Sequence, residues 1–163
     1  MTQTRLLLDL PSDSQTTALA QRLGQHLRPG DCVLLSGEIG AGKTHFARSL
    51  IRSLQDVPED IPSPTFTLVQ TYDTRAGDLW HADLYRLSAL EEVEELGLVE
   101  AFEQAVCLVE WPDRLGPLAP DDALVLDLAA DPRDDDMRHA SFAWSDPKWA
   151  RITADITGQN SHG

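Results

Sequence analysis

The sequence is poor in cysteine and in long apolar runs, and each shortage excludes a class of protein. Only two of the 163 residues are cysteine, too few for a disulfide framework or a cysteine-rich metal site. No segment approaches the roughly 18 apolar residues that a membrane-spanning helix requires. The first residues turn acidic too early for a signal peptide. We therefore expect a cytoplasmic protein with no membrane partner, in which Cys32 and Cys107 are reduced and buried.

Basic side chains are also scarce, with 13 Lys and Arg against 27 Asp and Glu and a formal net charge of −14. The imbalance is uneven, since residues 1–60 carry a net charge of −1 and residues 61–163 carry −13. Binding to nucleic acid or to anionic membranes depends on clustered cations. The composition therefore predicts no direct binding to either.

What the chain does have is a core-forming composition, 42% hydrophobic, in which strand and helix patterns alternate. The predicted strands are 4–10, 31–36, 66–72, 79–85, 106–111, 123–129 and 138–144, and the predicted helices are 12–27, 43–54, 88–97 and 147–156. Capping boxes at Ser12 and Ser88 mark two helix starts, and Gly97 marks an end. We expect an α/β fold with a mixed central sheet flanked by helices, in which residues 1–156 form a single domain and 157–163 a disordered tail.

The strongest local signal is the glycine-rich segment Gly37-Glu-Ile-Gly-Ala-Gly-Lys-Thr44, which matches the pattern G-x-x-x-x-G-K-[ST]. It follows a buried strand and precedes a helix, where backbone N–H groups can surround phosphate oxygens. Lys43 is expected to contact the β- and γ-phosphates, and the Thr44 hydroxyl to bind Mg²⁺. The segment predicts a nucleotide-binding loop in a three-layer P-loop NTPase fold. The expected nucleotide contacts within it are Glu38, Ile39, Gly40, Ala41, Gly42, Lys43, Thr44 and His45.

Two carboxylates at strand ends are candidates for the metal side of this site. Glu110 ends an apolar strand, and alternation over 79–85 places His81, Asp83 and Tyr85 on one face. Asp83 could orient the attacking water, or Glu110 could do so while Asp83 holds the metal, and the sequence is compatible with both. Two ligands alone do not make a metal site, so a structural role for His81 is favoured over a His–Asp metal pair.

The segment Ser63-Pro-Thr65-Phe-Thr67 follows a proline-rich loop. It is compatible with a switch that senses the γ-phosphate through a hydroxyl, and equally with an ordinary junction between loop and strand.

Taken together, these motifs resemble the TsaE (YjeE) family, the small P-loop ATPases of bacterial tRNA threonylcarbamoyladenosine synthesis. The resemblance rests on the glycine-rich segment, Ser63-Pro-Thr-Phe-Thr-Leu68, His81-Ala-Asp-Leu-Tyr-Arg-Leu87 and Leu108-Val-Glu-Trp-Pro112. The motifs occur in the family's order and spacing and cover about residues 10–120. Residues 121–163 match only loosely, so no role is transferred to them.

The resemblance implies roles for individual residues. Catalysis is assigned to Lys43, Asp83 and Glu110; Mg²⁺ binding to Thr44, Glu110 and Asp83; the switch threonine to Thr65; and further nucleotide contacts to Trp111 and Thr16, with Thr17 as an alternative alignment for Thr16.

The resemblance also implies an ATPase that is weak alone and acts with the TsaD–TsaB pair, ATP hydrolysis resetting that complex between rounds. A small-molecule kinase is an alternative, but such enzymes usually carry an Arg-rich lid, and residues 61–130 contain only three arginines. A nucleotide-gated binding module in which hydrolysis is incidental is a further alternative.

Overall fold

The structure, a computed structural model, describes residues 3–38, 40–56 and 68–157. Within these ranges the strands are β1 Thr4–Leu10, β2 Cys32–Ser36, β3 Val69–Thr74, β4 Gly77–Asp83, β5 Val106–Glu110, β6 Leu124–Ala130 and β7 Arg138–Trp144. The helices are α1 Asp13–Gly24, α2 Lys43–Leu54, α3 Leu90–Glu95, α4 Leu98–Gln104 and α5 Lys148–Thr157, with a 3₁₀ segment at Pro112–Leu118. In this part of the chain, no helix combines the length and the apolar character needed to cross a membrane.

All seven strands belong to one mixed sheet, in the order β1-β7-β6-β2-β5-β4-β3. The central strand β2 pairs in parallel with β5 and β6, and β4 pairs in parallel with β5. The flanking pairs β1–β7, β6–β7 and β3–β4 are antiparallel. Because the carboxyl ends of β2, β4 and β5 point the same way, the loops that follow these strands meet at one edge.

Helices cover both faces of the sheet, because alternate residues of the central strands point to opposite sides. On β2, Val33 and Leu35 belong to the core that includes apolar side chains of α1, α2 and α5. Cys32 and Leu34 belong to the second core, under α3 and α4. The predicted three-layer α/β fold with a mixed central sheet is confirmed.

Both cysteines lie in this second core, as predicted, and both are free thiols. Cys32 and Cys107 are register partners on the adjacent strands β2 and β5. Burial raises the pKa of Cys107 to about 12 and raises that of Cys32 well above its ordinary value.

Helix boundaries follow the sequence signals in some places and depart from them in others. Ser12 caps α1 by accepting a hydrogen bond from the Gln15 amide, but the helix ends at Gly24 and not near residue 27. The predicted helix start at Ser88 is wrong. Helix α3 begins at Leu90, and the Ser88 hydroxyl donates a hydrogen bond to the Glu92 carboxylate instead of capping the backbone. Gly97, predicted to end a helix, lies between α3 and α4 as the N-cap residue of α4, a helix that was not predicted.

Further boundaries also differ from the sequence prediction, among them those of β4, which spans Gly77–Asp83 and not 79–85. The strand expected to begin at residue 66 begins at Val69, because Leu68 has a left-handed backbone with φ of 67° that interrupts extended geometry. Thr157, assigned to the tail, is the last residue of α5. Residues 66–67 and 158–163 lie outside the described ranges, so the division into one domain and a disordered tail stays a prediction.

Candidate functional site

The glycine-rich segment forms the turn between the central strand β2 and helix α2. Gly37 adopts a φ of 136°, and a Cβ there would lie 2.2 Å from the Leu128 carbonyl oxygen, so no larger residue fits. Gly42 precedes α2 with a φ of 101°, and no side chain caps that helix. An uncapped N-terminus presents backbone N–H groups and positive charge to the solvent, which favours an anion.

The Lys43 side chain folds back into the turn that precedes it. Its ammonium group donates to the carbonyl oxygens of Gly37 and, at 3.2 Å, Glu38. It also lies 3.9 Å from the centre of the Trp111 ring. Burial lowers the pKa of Lys43, while the nearby Glu110 and other carboxylates act in the opposite direction. The cation is therefore held by two carbonyl groups of the turn and by the face of the Trp111 ring.

Glu110, at the end of β5, receives a hydrogen bond on each carboxylate oxygen. Thr44 Oγ1 donates to Oε1 at 2.7 Å, and His81 Nε2 lies 2.6 Å from Oε2. The Glu110 and His81 side chains are 2% and 0% exposed. Because a carboxylate only accepts hydrogen bonds, His81 must carry its proton on Nε2 in this contact. The two bonds tie the first turn of α2 to the neighbouring strands.

Asp83 lies beside Glu110, because β4 and β5 pair in parallel with these two residues in register. Asp83 is buried, and its Oδ1 accepts the backbone N–H of Tyr85 at 3.0 Å. Two carboxylates side by side repel each other unless a cation lies nearby. This edge of the sheet is therefore electrostatically suited to a divalent cation.

An open cavity of about 420 Å³ lies over the glycine-rich turn, within the size range of small-ligand sites. The Trp111 and Tyr85 rings flank it, with centroids 4.8 Å apart. Trp111 adopts a left-handed backbone with φ of 62°, which turns the chain sharply at the end of β5. The cavity is lined by Glu38, Gly40, Gly42, Lys43, Thr44, His45, Asp83, Tyr85, Arg86, Glu110 and Trp111.

Most of the predicted site residues therefore meet at one place, but two of those that the structure describes, Ala41 and Thr16, are not part of the cavity lining. Ala41 is buried beneath the turn. Ile39 and Thr65 lie outside the described residues, and so does the rest of the predicted switch segment 63–67.

Thr16, predicted to contact the nucleotide, is buried in α1, and its hydroxyl donates to the Ser12 carbonyl oxygen at 3.3 Å. This position within the helix does not place Thr16 in the cavity lining. The neighbouring Thr17 hydroxyl instead lies 3.0 Å from His45 Nε2, and His45 does line the cavity. Of the two, Thr17 is the one that contacts a residue of the cavity lining, and a nucleotide contact of either threonine stays a prediction.

Three residues near the site were not singled out by the sequence. Tyr85 and Arg86 line the cavity, and their position directly after Asp83 was the available signal. Arg138, on β7, donates from Nε to the Ala41 carbonyl oxygen at 3.1 Å. No local pattern points to Arg138, because 97 residues separate it from its partner.

The donor set fits Mg²⁺ bound together with a nucleotide better than a metal bound by protein alone. Among the described residues, no group of three or more His, Cys, Asp and Glu side chains is arranged to hold a metal ion. Mg²⁺ typically takes one or two carboxylates together with water and substrate phosphates. Thr44, Glu110 and Asp83 could supply that protein share, and the uncapped helix and Lys43 the phosphate contacts.

Comparison with known proteins agrees with this geometry. The family model described as "Threonylcarbamoyl adenosine biosynthesis protein TsaE" matches residues 10–140. Among curated proteins named tRNA threonylcarbamoyladenosine biosynthesis protein TsaE, that of Rickettsia felis is 45% identical over 107 residues, which are 66% of this chain and 63% of the relative. That of Bacillus subtilis is 36% identical over 129 residues, 78% of each protein.

A relative with the same name from Streptomyces coelicolor is 39% identical over 145 residues, 85% of this chain and 95% of the relative. The crystal structure of YdiB from Bacillus subtilis superposes with a TM-score of 0.77 at 25% identity, covering 98% of this chain and 99% of that one. Because the family model spans most of the sequence and the fold agrees with a solved structure, this chain belongs to the TsaE family.

Proposed function

We propose that this protein is a Mg²⁺-dependent ATPase whose nucleotide occupies the cavity over the glycine-rich turn. It acts in the cytoplasm with TsaD and TsaB homologues, in forming the threonylcarbamoyl group on the adenosine next to the tRNA anticodon. ATP hydrolysis resets that complex between rounds and does not drive the transfer itself. The relatives' names support the pathway, and the site supports the chemistry.

The observation that carries the ATPase proposal is the 2.7 Å hydrogen bond between Thr44 and Glu110. It joins the residue after the P-loop lysine to an acid 66 positions away, at the end of a neighbouring parallel strand. P-loop ATPases hold Mg²⁺ with such a hydroxyl and such a carboxylate. A purely structural turn would have no need of this pairing.

The protein's own groups would bind and orient the nucleotide. The backbone N–H groups at the start of α2 receive phosphate oxygens, and Lys43 exchanges the Gly37 and Glu38 carbonyls for the β- and γ-phosphates. Arg86, which also lines the cavity, adds a second cation. When bound, Mg²⁺ neutralises the charge that develops on the phosphate oxygens.

We assign the metal side to Glu110 and the water side to Asp83. Glu110 already holds the hydroxyl of Thr44, so its carboxylate lies beside the metal ligand on α2. Asp83 lines the cavity next to it and can accept a hydrogen bond from the attacking water. The net charge of −13 over residues 61–163 leaves tRNA contacts to the partner proteins.

The test of the nucleotide site is Lys43→Ala, with Lys148→Ala as a matched control. Lys148 bonds Asp31 and Asp122, away from the cavity. Losing a charged hydrogen bond to phosphate should weaken ATP binding by about 10- to 100-fold, measured by titration calorimetry. Cells carrying only the Lys43→Ala protein should lose the tRNA modification, whereas Lys148→Ala cells should keep it. Normal ATP affinity in Lys43→Ala would refute the proposed site.

The test of the hydrolysis step is Asp83→Asn in the presence of the partner proteins. This variant should bind Mg²⁺·ATP normally and hydrolyse it at least about 100-fold more slowly, because the water loses its acceptor. If such a variant still supports repeated rounds of tRNA modification, ATP binding alone acts as the switch and hydrolysis does not reset the complex.

A further inference from the structure

We propose that His81 is a positioning residue of the site, which holds the Glu110 carboxylate in the orientation that Thr44 and Mg²⁺ require. The inference rests on the proposed nucleotide site and assigns a task to a residue that the reaction itself does not use. His81 does not line the cavity, so it acts only through Glu110.

The geometry defines one orientation of the carboxylate. Thr44 Oγ1 bonds Oε1 at 2.7 Å from the α2 side, and His81 Nε2 lies 2.6 Å from Oε2 on the β4 side. With one donor on each oxygen, the Glu110 side chain cannot rotate without breaking a bond. The two contacts therefore fix the plane of the carboxylate relative to the first turn of α2.

Packing alone gives no reason for an imidazole at this position. His81 is fully buried and shares its face of β4 with Leu79, which belongs to the main core. A buried polar group destabilises the fold unless it is hydrogen-bonded, and an apolar side chain of similar size avoids that penalty. Within the described residues, Nδ1 has no hydrogen-bond partner, so the ring's polar contact is with Glu110.

Residues that do not bind a metal themselves commonly hold a metal-binding carboxylate in place through a hydrogen bond. Partners that orient a metal-binding carboxylate or histidine typically change metal affinity or activity by about 10- to 100-fold when they are removed. A residue that merely fills the core would change the stability of the fold and leave the metal dependence unaltered. The two roles therefore differ in a measurable quantity.

The experiment compares three substitutions. His81→Leu removes the donor, His81→Gln can place an amide N–H near the position of Nε2, and His81→Asn is too short to do so. The readout is binding of a non-hydrolysable ATP analogue by calorimetry, with Mg²⁺ and with EDTA. A parallel Mg²⁺ titration of ATP hydrolysis separates kcat from KM.

We expect His81→Leu and His81→Asn to bind the analogue in EDTA with the affinity of the unmodified protein. Both should need about 10- to 100-fold more Mg²⁺ to reach the higher affinity that the metal gives. His81→Gln should need an Mg²⁺ concentration close to that of the unmodified protein. His139→Gln, which alters a histidine that is bonded to Asp9 and Asp131 and does not line the cavity, should behave as unmodified.

Unchanged Mg²⁺ dependence in His81→Leu, with only a lower melting temperature, would overturn the assignment. If His81→Leu does not fold, the Gln and Asn variants decide, and equal Mg²⁺ dependence in those two would overturn it. Failure of the proposed function is separate, since the unmodified protein would then show no Mg²⁺-dependent nucleotide binding at all.

Discussion

Two histidines of this protein make nearly the same contacts in opposite surroundings. His81 lies 2.6 Å from Glu110, and both side chains are almost completely buried. His139 lies 2.8 Å from Asp9 and 2.9 Å from Asp131, but 41% of its side chain is exposed. The first pair joins the parallel strands under the cavity, and the second joins the antiparallel strands at the other side of the sheet.

Burial, more than distance, decides how strongly such a contact constrains its two side chains. A buried hydrogen-bonded pair cannot lose one partner without leaving a polar atom of the other unsatisfied in a medium of low polarity. An exposed pair is screened by water and salt, so each member can be replaced by solvent. The buried contact between β4 and β5, in the parallel part of the sheet, therefore holds two side chains in a fixed orientation. The contacts of His139, in the antiparallel part formed by β1, β6 and β7, only place opposite charges near one another on the surface.

The largest expected difference between the two regions is in stability. Glu110→Ala leaves His81 and the Thr44 hydroxyl without their acceptor, and we expect a loss of about 3 kcal/mol in the free energy of unfolding. Asp9→Ala removes an acceptor of His139 whose side chain is 69% exposed, and it should shift the midpoint of urea unfolding far less. Equal midpoint shifts in the two variants would break the comparison.

An intermediate effect is expected at Arg138, which links the antiparallel strand β7 to the glycine-rich turn. Its Nε donates to the Ala41 carbonyl oxygen at 3.1 Å, while Nη1 bonds the carbonyls of Asp135 and Met137. Arg138→Met should weaken ATP binding about tenfold, because the turn loses a charge-assisted brace.

The matched control for Arg138→Met is Arg133→Met, an exposed arginine in the turn between β6 and β7. Calorimetric titration with ATP compares the two variants, and a melting curve of each checks that the fold is retained. Identical ATP affinities of the two variants would mean that the contact from Arg138 on β7 does not affect nucleotide binding at the glycine-rich turn.

Much of this organisation is readable from the sequence where the signals are local. The glycine-rich pattern predicts a tight turn that is followed by α2 at Lys43–Leu54, as observed. The two acids are found because each ends or nearly ends an apolar strand, and parallel pairing then brings them together. In these cases one short segment contains both the structural cause and the chemical group.

What the sequence does not reveal depends on contacts between distant segments. The pairing of His81 with Glu110 follows from the order of β4 and β5 in the sheet, which periodicity does not specify. Arg138 reaches Ala41 only because β7 lies next to β6 and near the turn. The start of α3 was misplaced because a Ser-x-x-Glu pattern at Ser88 is satisfied by a side-chain contact instead.

The smallest expected effect is on the pH dependence of the exposed pair. The hydrogen bonds to Asp9 and then Asp131 raise the pKa of His139 above its ordinary 6.5. The Arg133 backbone N–H and then His139 lower the pKa of Asp131 below its ordinary 3.8. Both groups are charged between these two values.

The signs of the two contributions are opposite. A raised pKa means that His139 stabilises the fold fully below pH 6.5, a contribution lost as pH rises through the folded-state pKa. Asp131 stabilises the fold above pH 3.8, and loses this as pH falls through its lowered pKa. NMR titration should find the pKa of His139 above 6.5 and find it lower in Asp9→Asn. A His139 pKa at its ordinary value would show that the surface contacts are not formed in solution.

Cys32 and Cys107, the buried register partners on β2 and β5, provide a chemical probe for local opening of the core. A thiol reagent can reach these sulfur atoms only when the structure opens locally, because both are buried between the sheet and the layer formed by α3 and α4. The same two strands lead directly into the glycine-rich turn and into Glu110. The rate at which the thiols are labelled therefore reports how often this core opens, and a nucleotide that binds only the closed state will slow the labelling more as its free concentration rises above its Kd.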